Sequence, residues 1–126
     1  MVGALDAVAA ETPVVVKRPT VVAFFEPVSD KELEKDLDTN EALADFQEYV
    51  SRSRGPLERA GVDFHVVYAR SFQVRNGSQT RTFRVSKIGA GYYLVGPGRR
   101  PRIEQGVMTD VDLFQVVRDY FGIVVR

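Results

Sequence analysis

The chain has 126 residues, and with 44% hydrophobic and 27% charged residues it has the size and composition of one globular domain. It contains no cysteine, which excludes disulfides, thiolate chemistry and most zinc sites. No apolar run approaches the roughly 18 residues that a membrane-spanning helix needs, and the presence of only one histidine narrows the catalytic chemistry further.

Charge is unevenly distributed, although the formal net charge is zero. Residues 1–60 carry twelve acids and seven bases, whereas residues 61–126 carry five acids and ten bases. From residue 70 to residue 103 there is no acid, and the bases there are Arg70, Arg75, Arg81, Arg84, Lys87, Arg99, Arg100 and Arg102. Two interpretations remain open: attraction between an acidic helix and basic strands within one fold, or a basic binding face.

The first twelve residues are small and weakly patterned, and we expect a flexible tail over residues 1–12 before a single domain over residues 13–126. The tail lacks the basic start and the long apolar core of a signal peptide. It fits the mature start of an exported protein, and it fits a cytoplasmic tail equally well. We expect export, which makes the protein periplasmic or secreted with its signal peptide removed.

The first two strands are read from apolar runs. Residues 14–16 are three valines, typical of an edge strand or an extended arm. Residues 20–25 (TVVAFF) hold five apolar residues in succession between Pro19 and Pro27. A strand without a polar side is typical of a parallel sheet that helices cover on both faces. We therefore predict that residues 20–25 form the central strand, between two helical layers.

Two helices are expected next. The segment after Pro27 is dense in charge, and Ser29 or Asp30 can cap a marginal helix there. The main helix is predicted to begin near residues 38–40. Its apolar residues recur at spacings of three and four, and they are Leu43, Phe46 and Val50. The pair at residues 55–56, Gly-Pro, predicts that this helix either kinks or ends and restarts.

Residues 63–69 are predicted to form the second strand of a right-handed βαβ unit. His65 lies in this strand, where a lone histidine is typically packed rather than a ligand. Residues 71–75 and 79–85 then alternate around Asn76-Gly77, a pair that is typical of a hairpin turn because both residues tolerate positive φ. A loop with a short helix is the alternative for residues 72–85, and we favour the extended hairpin.

The chain ends with a second hairpin and a helix. Residues 91–96 form an apolar strand, and residues 99–104 return from a turn at 97–98 along a strand that Pro101 places at a sheet edge. Thr109 is the predicted cap of the last helix, with Asp112 three residues on. Its predicted buried stripe is Leu113, Phe114, Val117 and Phe121. Residues 123–125 either add a strand or pack on the core.

Two of these segments carry a family resemblance. Residues 21–27 (VVAFFEP) are an apolar strand that enters a loop, and residues 91–99 (GYYLVGPGR), with Gly106 and the helix over residues 110–121, are a closing hairpin and a last helix. With the proline in the main helix, the chain resembles the thioredoxin-like fold over roughly residues 14–122. The resemblance implies an α/β three-layer sandwich: a mixed sheet with a βαβ start, a C-terminal β-hairpin and a final helix.

The resemblance also identifies what this sequence lacks. The two active-site cysteines of the family would follow Phe25, and its cis-proline would lie near residues 88–91, but neither is present. Without a thiolate there is no thiol–disulfide exchange. The resemblance therefore implies a relic active-site edge that binds without catalysis. Its residues are Glu26, Pro27, Ser29, Asp30, Ala90 and Gly91.

Other catalytic and ligand-binding arrangements find little support. One histidine on a predicted strand does not complete a serine triad. The acids of residues 30–41 lack the mid-loop glycine of a calcium site. The glycines at 89–91 and 96–98 do not form a phosphate-binding loop, because neither group is followed by a helix that begins with a Lys-Ser/Thr pair. The sequence predicts no metal site, no cofactor and, on balance, no enzymatic activity.

The expected function is to bind a protein or peptide partner, in a cell-envelope system, through the relic edge and a basic turn. The residues of that turn are Arg99, Arg100 and Arg102. The alternative is a nucleic acid or another polyanion on the basic strands 70–102. There, exposed aromatics can stack bases, and the candidates are Phe72, Phe83, Tyr92 and Tyr93. An estimated pI of 6.6 makes nucleic acid the less expected partner. The sequence does not indicate an oligomeric state.

Overall fold

The computed structural model describes residues 12–126, so the tail predicted at residues 1–12 lies outside the described residues except for Thr12. Within that range the chain is a mixed α/β fold with two mixed sheets. The strands are β1 (Val14–Val16), β2 (Thr20–Phe25), β3 (Asp63–Tyr68), β4 (Ser71–Asn76), β5 (Gln79–Arg84), β6 (Ala90–Val95) and β7 (Arg102–Gln105). The α-helices are α1 (Asp30–Lys35), α2 (Leu37–Arg59) and α3 (Asp110–Phe121). None of these helices combines the length and the apolar character that crossing a membrane requires.

The strand β2 lies inside a four-stranded sheet of order β3-β2-β6-β7. It pairs in parallel with β3 and antiparallel with β6, and all six of its residues are buried. The prediction of a central strand with two buried faces is therefore confirmed. The connection from β2 through α2 to the parallel strand β3 is the predicted βαβ unit.

Different layers cover the two faces of this sheet. On one face, α2 and α3 pack over Val21, Ala23 and Phe25 of β2. On the other face, Val22 and Phe24 pack against a three-stranded sheet of order β1-β4-β5. The prediction of helical layers on both faces was wrong, because a second sheet occupies one of them.

The second sheet can take this place because its middle strand is apolar on one side only. In β4, Phe72 and Val74 are buried, whereas Gln73 and Arg75 are exposed. An antiparallel strand pair with this alternation buries one face against a core and leaves the other in water. The apolar face of the second sheet therefore covers Val22 and Phe24 of β2, as a helix was expected to do.

The extended interpretation of residues 71–85 is confirmed, because β4 and β5 form an antiparallel hairpin. Its loop is Gly77-Ser78, one residue later than predicted, since Asn76 pairs with Gln79. Gly77 has a φ of +64°, a conformation that glycine adopts without steric cost. A short 3₁₀ turn then leads toward β6.

The helices begin where the sequence indicated. Ser29 caps α1, and its hydroxyl accepts a hydrogen bond from the backbone N–H of Glu32. Asp36 caps α2, which begins one residue before the predicted start. Of the two predicted alternatives, a kink or an end followed by a restart, the restart does not occur, because α2 continues past Pro56 to Arg59. Pro56 lies in the last turn, where its missing N–H leaves the helix without one hydrogen bond, to the carbonyl of Arg52.

The elements predicted at the two ends of the chain are also present in the structure. β6 and β7 form the second hairpin, and β7 lies at the sheet edge that Pro101 indicated. Thr109 caps α3 by accepting a hydrogen bond from the backbone N–H of Asp112 at 3.2 Å. Ile123 and Val125 pack on the helix-side core rather than form a strand, and β1 is an edge strand of the second sheet.

Candidate binding clefts

The two surfaces predicted from the sequence lie at opposite ends of the four-stranded sheet. Phe25 of β2 pairs with Ala90 of β6, so the loop after β2 and the start of β6 meet at one end. Thr20 pairs with Val95, so the turn after β6 lies at the other end. The six paired residues span roughly 17 Å of strand. The two surfaces are therefore separate sites.

At the first end lies a cleft of about 580 Å³, which we call the β2 cleft. It is enclosed by the loop after β2, by residues 88–90 and by residues 105–107. The backbone N–H of Glu26 donates to the carbonyl oxygen of Gly89 at 2.7 Å, and that of Gly106 donates to the carbonyl oxygen of Ala90 at 2.8 Å. These two hydrogen bonds join the three segments, so the cleft is formed without a ligand.

The walls of the β2 cleft expose polar and apolar surface in about equal measure. The larger apolar side chains are Phe25, Pro27, Val28, Ile88 and Val107. Glu26, Glu32 and Arg70 supply charges of both signs, and Ala42 faces the cleft from α2. In such a site the apolar side chains can bury a ligand side chain, and the polar groups can orient it.

The six residues of the predicted relic edge occupy different places in the structure. Three of its six residues line the β2 cleft, namely Glu26, Pro27 and Ala90. Ser29 and Asp30 stand beside it at the start of α1, where Ser29 is the cap. Gly91 is buried in β6, and a Cβ atom there would come within 2.2 Å of the carbonyl oxygen of Glu104. Gly91 is thus a packing position between two strands, which corrects its prediction as a docking residue.

Sequence reasoning did not include the helix residues Glu32, Thr39 and Ala42, and it missed two further parts of the β2 cleft. The first is the wall at residues 105–107, for which a signal existed. The hairpin register pairs Gln105 with Gly91, and extending it by one residue brings the following segment beside Ala90. The second is Arg70, which precedes β4 and reaches the cleft through the packing of the second sheet. No local pattern indicates that packing.

At the opposite end lies a smaller cleft of about 330 Å³, which we call the basic cleft. It lies between the tip of the β4–β5 hairpin and the turn that joins β6 to β7. Arg81, Arg99 and Arg100 line it, and its described lining contains no acidic side chain. Arg102 is not part of it, because its Nε atom donates to the carboxylate of Glu104 at 3.1 Å. Of the three residues predicted for the basic turn, Arg99 and Arg100 line this cleft, and Arg81 of the three-stranded sheet lines it with them.

The aromatic residues that suggested base stacking belong to the core. Phe72, Tyr92 and Tyr93 are each at most 3% exposed, and half-buried Phe83 packs with Phe72 at 5.3 Å between ring centres. Burial raises the pKa of Tyr92 to about 12, and its hydroxyl donates to the carbonyl oxygen of Met108. Stacking requires an open ring face. These side chains therefore do not form a stacking platform.

His65, the sole histidine, is half-buried in β3 and lines neither cleft. Burial lowers the pKa of its imidazole, while the carboxylate of Asp63 acts in the opposite direction. This position agrees with the prediction of a packed histidine. Within residues 12–126, no group of three His, Asp or Glu side chains is arranged to hold a metal ion.

The two clefts differ in the chemistry that they offer. The β2 cleft combines apolar side chains with charges of both signs, whereas the described lining of the basic cleft has positive and neutral groups only. No protein-family model, no curated protein and no solved structure matches this chain.

Proposed function

We propose that the chain is a non-catalytic thioredoxin-like module of the cell envelope that binds a protein or peptide partner in the β2 cleft. The observation that carries this proposal is the cleft itself. It combines apolar side chains with polar and charged groups, its walls are joined to one another by backbone hydrogen bonds, and at about 580 Å³ it has the volume of an ordinary ligand site.

The order of elements supports the thioredoxin-like part of the proposal. The four-stranded sheet with α2 and α3 has the succession of strand, helix, strand, hairpin and helix on which the resemblance was based. The β2 cleft lies where β2 runs into its loop, which is where the resemblance expects the relic active site. Because the chain has no cysteine, the β2 cleft cannot carry out thiol–disulfide exchange, and we propose that it binds a partner instead. The three-stranded sheet on the second face is a departure from the expected helical layer.

The charges of the β2 cleft favour a particular peptide. Its apolar wall suits one buried aliphatic or aromatic side chain of the partner. Glu26 and Glu32 outnumber Arg70, so a basic residue next to that apolar anchor finds a carboxylate to pair with. We therefore propose a partner segment that combines an apolar anchor with an adjacent lysine or arginine.

Selection of short linear peptides from a displayed random library, with the full chain as bait, tests this proposal. The expected result is enrichment of the apolar-plus-basic pattern. In a titration followed by amide NMR, the selected peptide should shift the signals of Glu26, Val28 and residues 88–90. The substitution Ala42→Arg places a long cation in the cleft and should weaken binding by about tenfold or more.

Ala44→Arg is the matched control, because Ala44 is exposed on the same helix outside the cleft. It should leave the affinity unchanged. Arginine is a good helix former, but Ala42 also packs against the helix-side core, so equal thermal unfolding of both variants is needed to show that a loss of binding arises in the cleft. No enriched peptide, or equal binding by wild type and Ala42→Arg, would reject the β2 cleft as the partner site.

One observation still supports the alternative of polyanion binding: three arginines line the basic cleft. The burial of the aromatic side chains weighs against single-stranded nucleic acid, because stacking is the usual source of affinity there. Anion binding at the basic cleft is therefore considered as a second site, independent of the partner site.

A further inference from the structure

Three arginines from two different sheets converge on the basic cleft. Arg81 comes from β5 of the three-stranded sheet, whereas Arg99 and Arg100 come from the turn after β6 of the four-stranded sheet. All three residues are exposed, and none forms an ion pair with another residue in the range 12–126. The fold therefore concentrates positive charge at a concave site where no described carboxylate neutralises it.

One side chain joins the two segments that carry these arginines. The Oδ1 atom of Asn76 accepts a hydrogen bond from the backbone N–H of Gly98 at 3.1 Å, and its Nδ2 atom donates to the carbonyl oxygen of Gly96 at 3.0 Å. An amide group has both a donor and an acceptor, and Asn76 uses both on the same turn. The hairpin tip and the turn are thus held in place before any ligand arrives, which lowers the entropy cost of binding.

The helix α3 positions the turn from its other side. The guanidinium carbon of Arg99 lies 4.4 Å from the ring centre of Tyr120, and the hydroxyl of Tyr120 donates to the backbone carbonyl oxygen of Arg100. A guanidinium stacked on a ring keeps its charge and keeps its N–H donors in the plane of the group. Arg99 is therefore oriented but still able to bind an anion.

We propose that the basic cleft binds a small soluble molecule through a phosphoryl or diphosphate group. The planar fork of each guanidinium matches two phosphate oxygens at once, and three such groups suit a multiply charged anion better than a single carboxylate. Neutral residues complete the lining, among them Ser78 and Tyr93. The volume of about 330 Å³ is at the lower end for small-molecule sites, which favours a compact ligand over a polymer.

The inference does not depend on the proposed partner site, since the basic cleft and the β2 cleft lie at opposite ends of the sheet. It also has an internal control. Val74 pairs with Arg81 on the inner face of the hairpin, whereas Arg75 pairs with Thr80 on the outer face. Arg75 thus carries the same charge on the same hairpin but points away from the cleft.

Calorimetric titration of the full chain with inorganic pyrophosphate, at low and constant ionic strength, tests this proposal. Saturable binding is expected, and Arg81→Gln or Arg99→Gln should weaken it by about tenfold, the usual effect of losing one charge-assisted pair. Arg75→Gln should bind as the wild type does. The amide NMR shifts should fall on Asn76 and Gly98 and leave the β2 cleft unchanged.

Three outcomes would overturn the proposal. The first is the absence of saturable pyrophosphate binding, and the second is equal weakening by Arg75→Gln and Arg81→Gln, which would indicate diffuse surface charge. The third uses two other probes, a single-stranded oligonucleotide and vesicles that contain phosphatidylglycerol. If either binds while pyrophosphate does not, the positive charge serves a nucleic acid or a membrane surface instead. An unchanged thermal unfolding curve for each variant shows that any loss arises in the site.

Discussion

His65 is half-buried on β3, and this burial lowers the pKa of its imidazole below the ordinary value of 6.5. The cation of Arg54 acts in the same direction, whereas Asp63 and Glu58 act against it. Histidine is the side chain whose unperturbed pKa places its charge change between about pH 5 and pH 8, and this chain has only one. A change in stability across that range can therefore be assigned to a single residue.

We predict that folding stability falls as the pH is lowered through 6.5, the pKa of the imidazole in the unfolded chain. The unfolded chain then binds a proton that the folded protein does not yet accept. The loss continues until the pH passes the lower folded pKa, and below that value it is complete. Urea unfolding at several pH values measures this, and His65→Gln should show a shallower decline than the wild type. Equal declines would mean that His65 is not the group responsible.

At the scale of elements, the close approach of β6 and β7 depends on one residue without a side chain. Gly91 lies where a Cβ atom would meet the carbonyl oxygen of Glu104 at 2.2 Å and the ring of Phe24 at 3.1 Å. The first neighbour is backbone and part of the strand pair, so it cannot move aside without changing the register of the hairpin. Gly91 pairs with Gln105, so the same strand pair leads directly into residues 105–107 of the β2 cleft.

We predict that Gly91→Ala destabilises the protein by about 1–3 kcal/mol, the usual cost of inserting a methyl group into a packed site. Gly96→Ala is the matched control at the other end of β6. A Cβ atom there meets the flexible Arg99 side chain at 3.3 Å, and we expect a loss below about 1 kcal/mol. Urea unfolding of both variants gives the comparison, and a larger loss for Gly96→Ala would contradict the assigned role of Gly91.

At the scale of the whole molecule, an aromatic cluster joins the two sheets. Phe72 of β4 lies 6.0 Å from Phe24 of β2 and 5.7 Å from Tyr93 of β6, measured between ring centres. Phe72 is 1% exposed and Phe24 is fully buried. Aromatic pairs at these distances add to the stabilisation by burial. The cluster therefore couples the second sheet to the first.

We predict that Phe72→Ala costs about 3–5 kcal/mol and that the variant still unfolds in one transition, because both sheets share this core. Gln73→Ala, on the exposed face of the same strand, should change stability by less than about 0.5 kcal/mol. Fluorescence and circular dichroism followed together in urea measure both variants. Separate transitions for the two sheets would contradict the single domain expected over residues 13–126.

The uneven charge of the chain is also a property of the whole molecule. Ion pairs described within residues 12–126 join Arg18 to Asp63, which lie far apart in the chain, Arg52 to Glu48 within α2, and Arg102 to Glu104 within β7. None of them links an acid of α1 or α2 to the basic strands. These pairs therefore give no support to attraction between the acidic helices and the basic strands, and the anion site proposed at Arg81, Arg99 and Arg100 would account for part of the asymmetry.

Much of the fold was predictable because local residue patterns determine local structure. The unbroken apolar run of β2, the alternation of β4, and the cap at Thr109 each specify an element through the spacing of a few neighbouring residues. The candidate sites were predictable only in part. Glu26, Pro27 and Ala90 were predicted from the resemblance to the thioredoxin-like fold, whereas the contribution of Arg70 has no signal in its neighbours.

The sequence by itself determined that this protein has a two-sided central strand, two hairpins, two substantial helices and no thiol chemistry. Only the tertiary structure decided that a sheet rather than a helix covers the second face of β2, because both offer the same apolar surface. It also decided that Gly91 is closed to a partner and that Arg81 joins Arg99 and Arg100. These three features depend on contacts between residues that are far apart in the chain. The spacing of neighbouring residues in the sequence carries no information about such contacts.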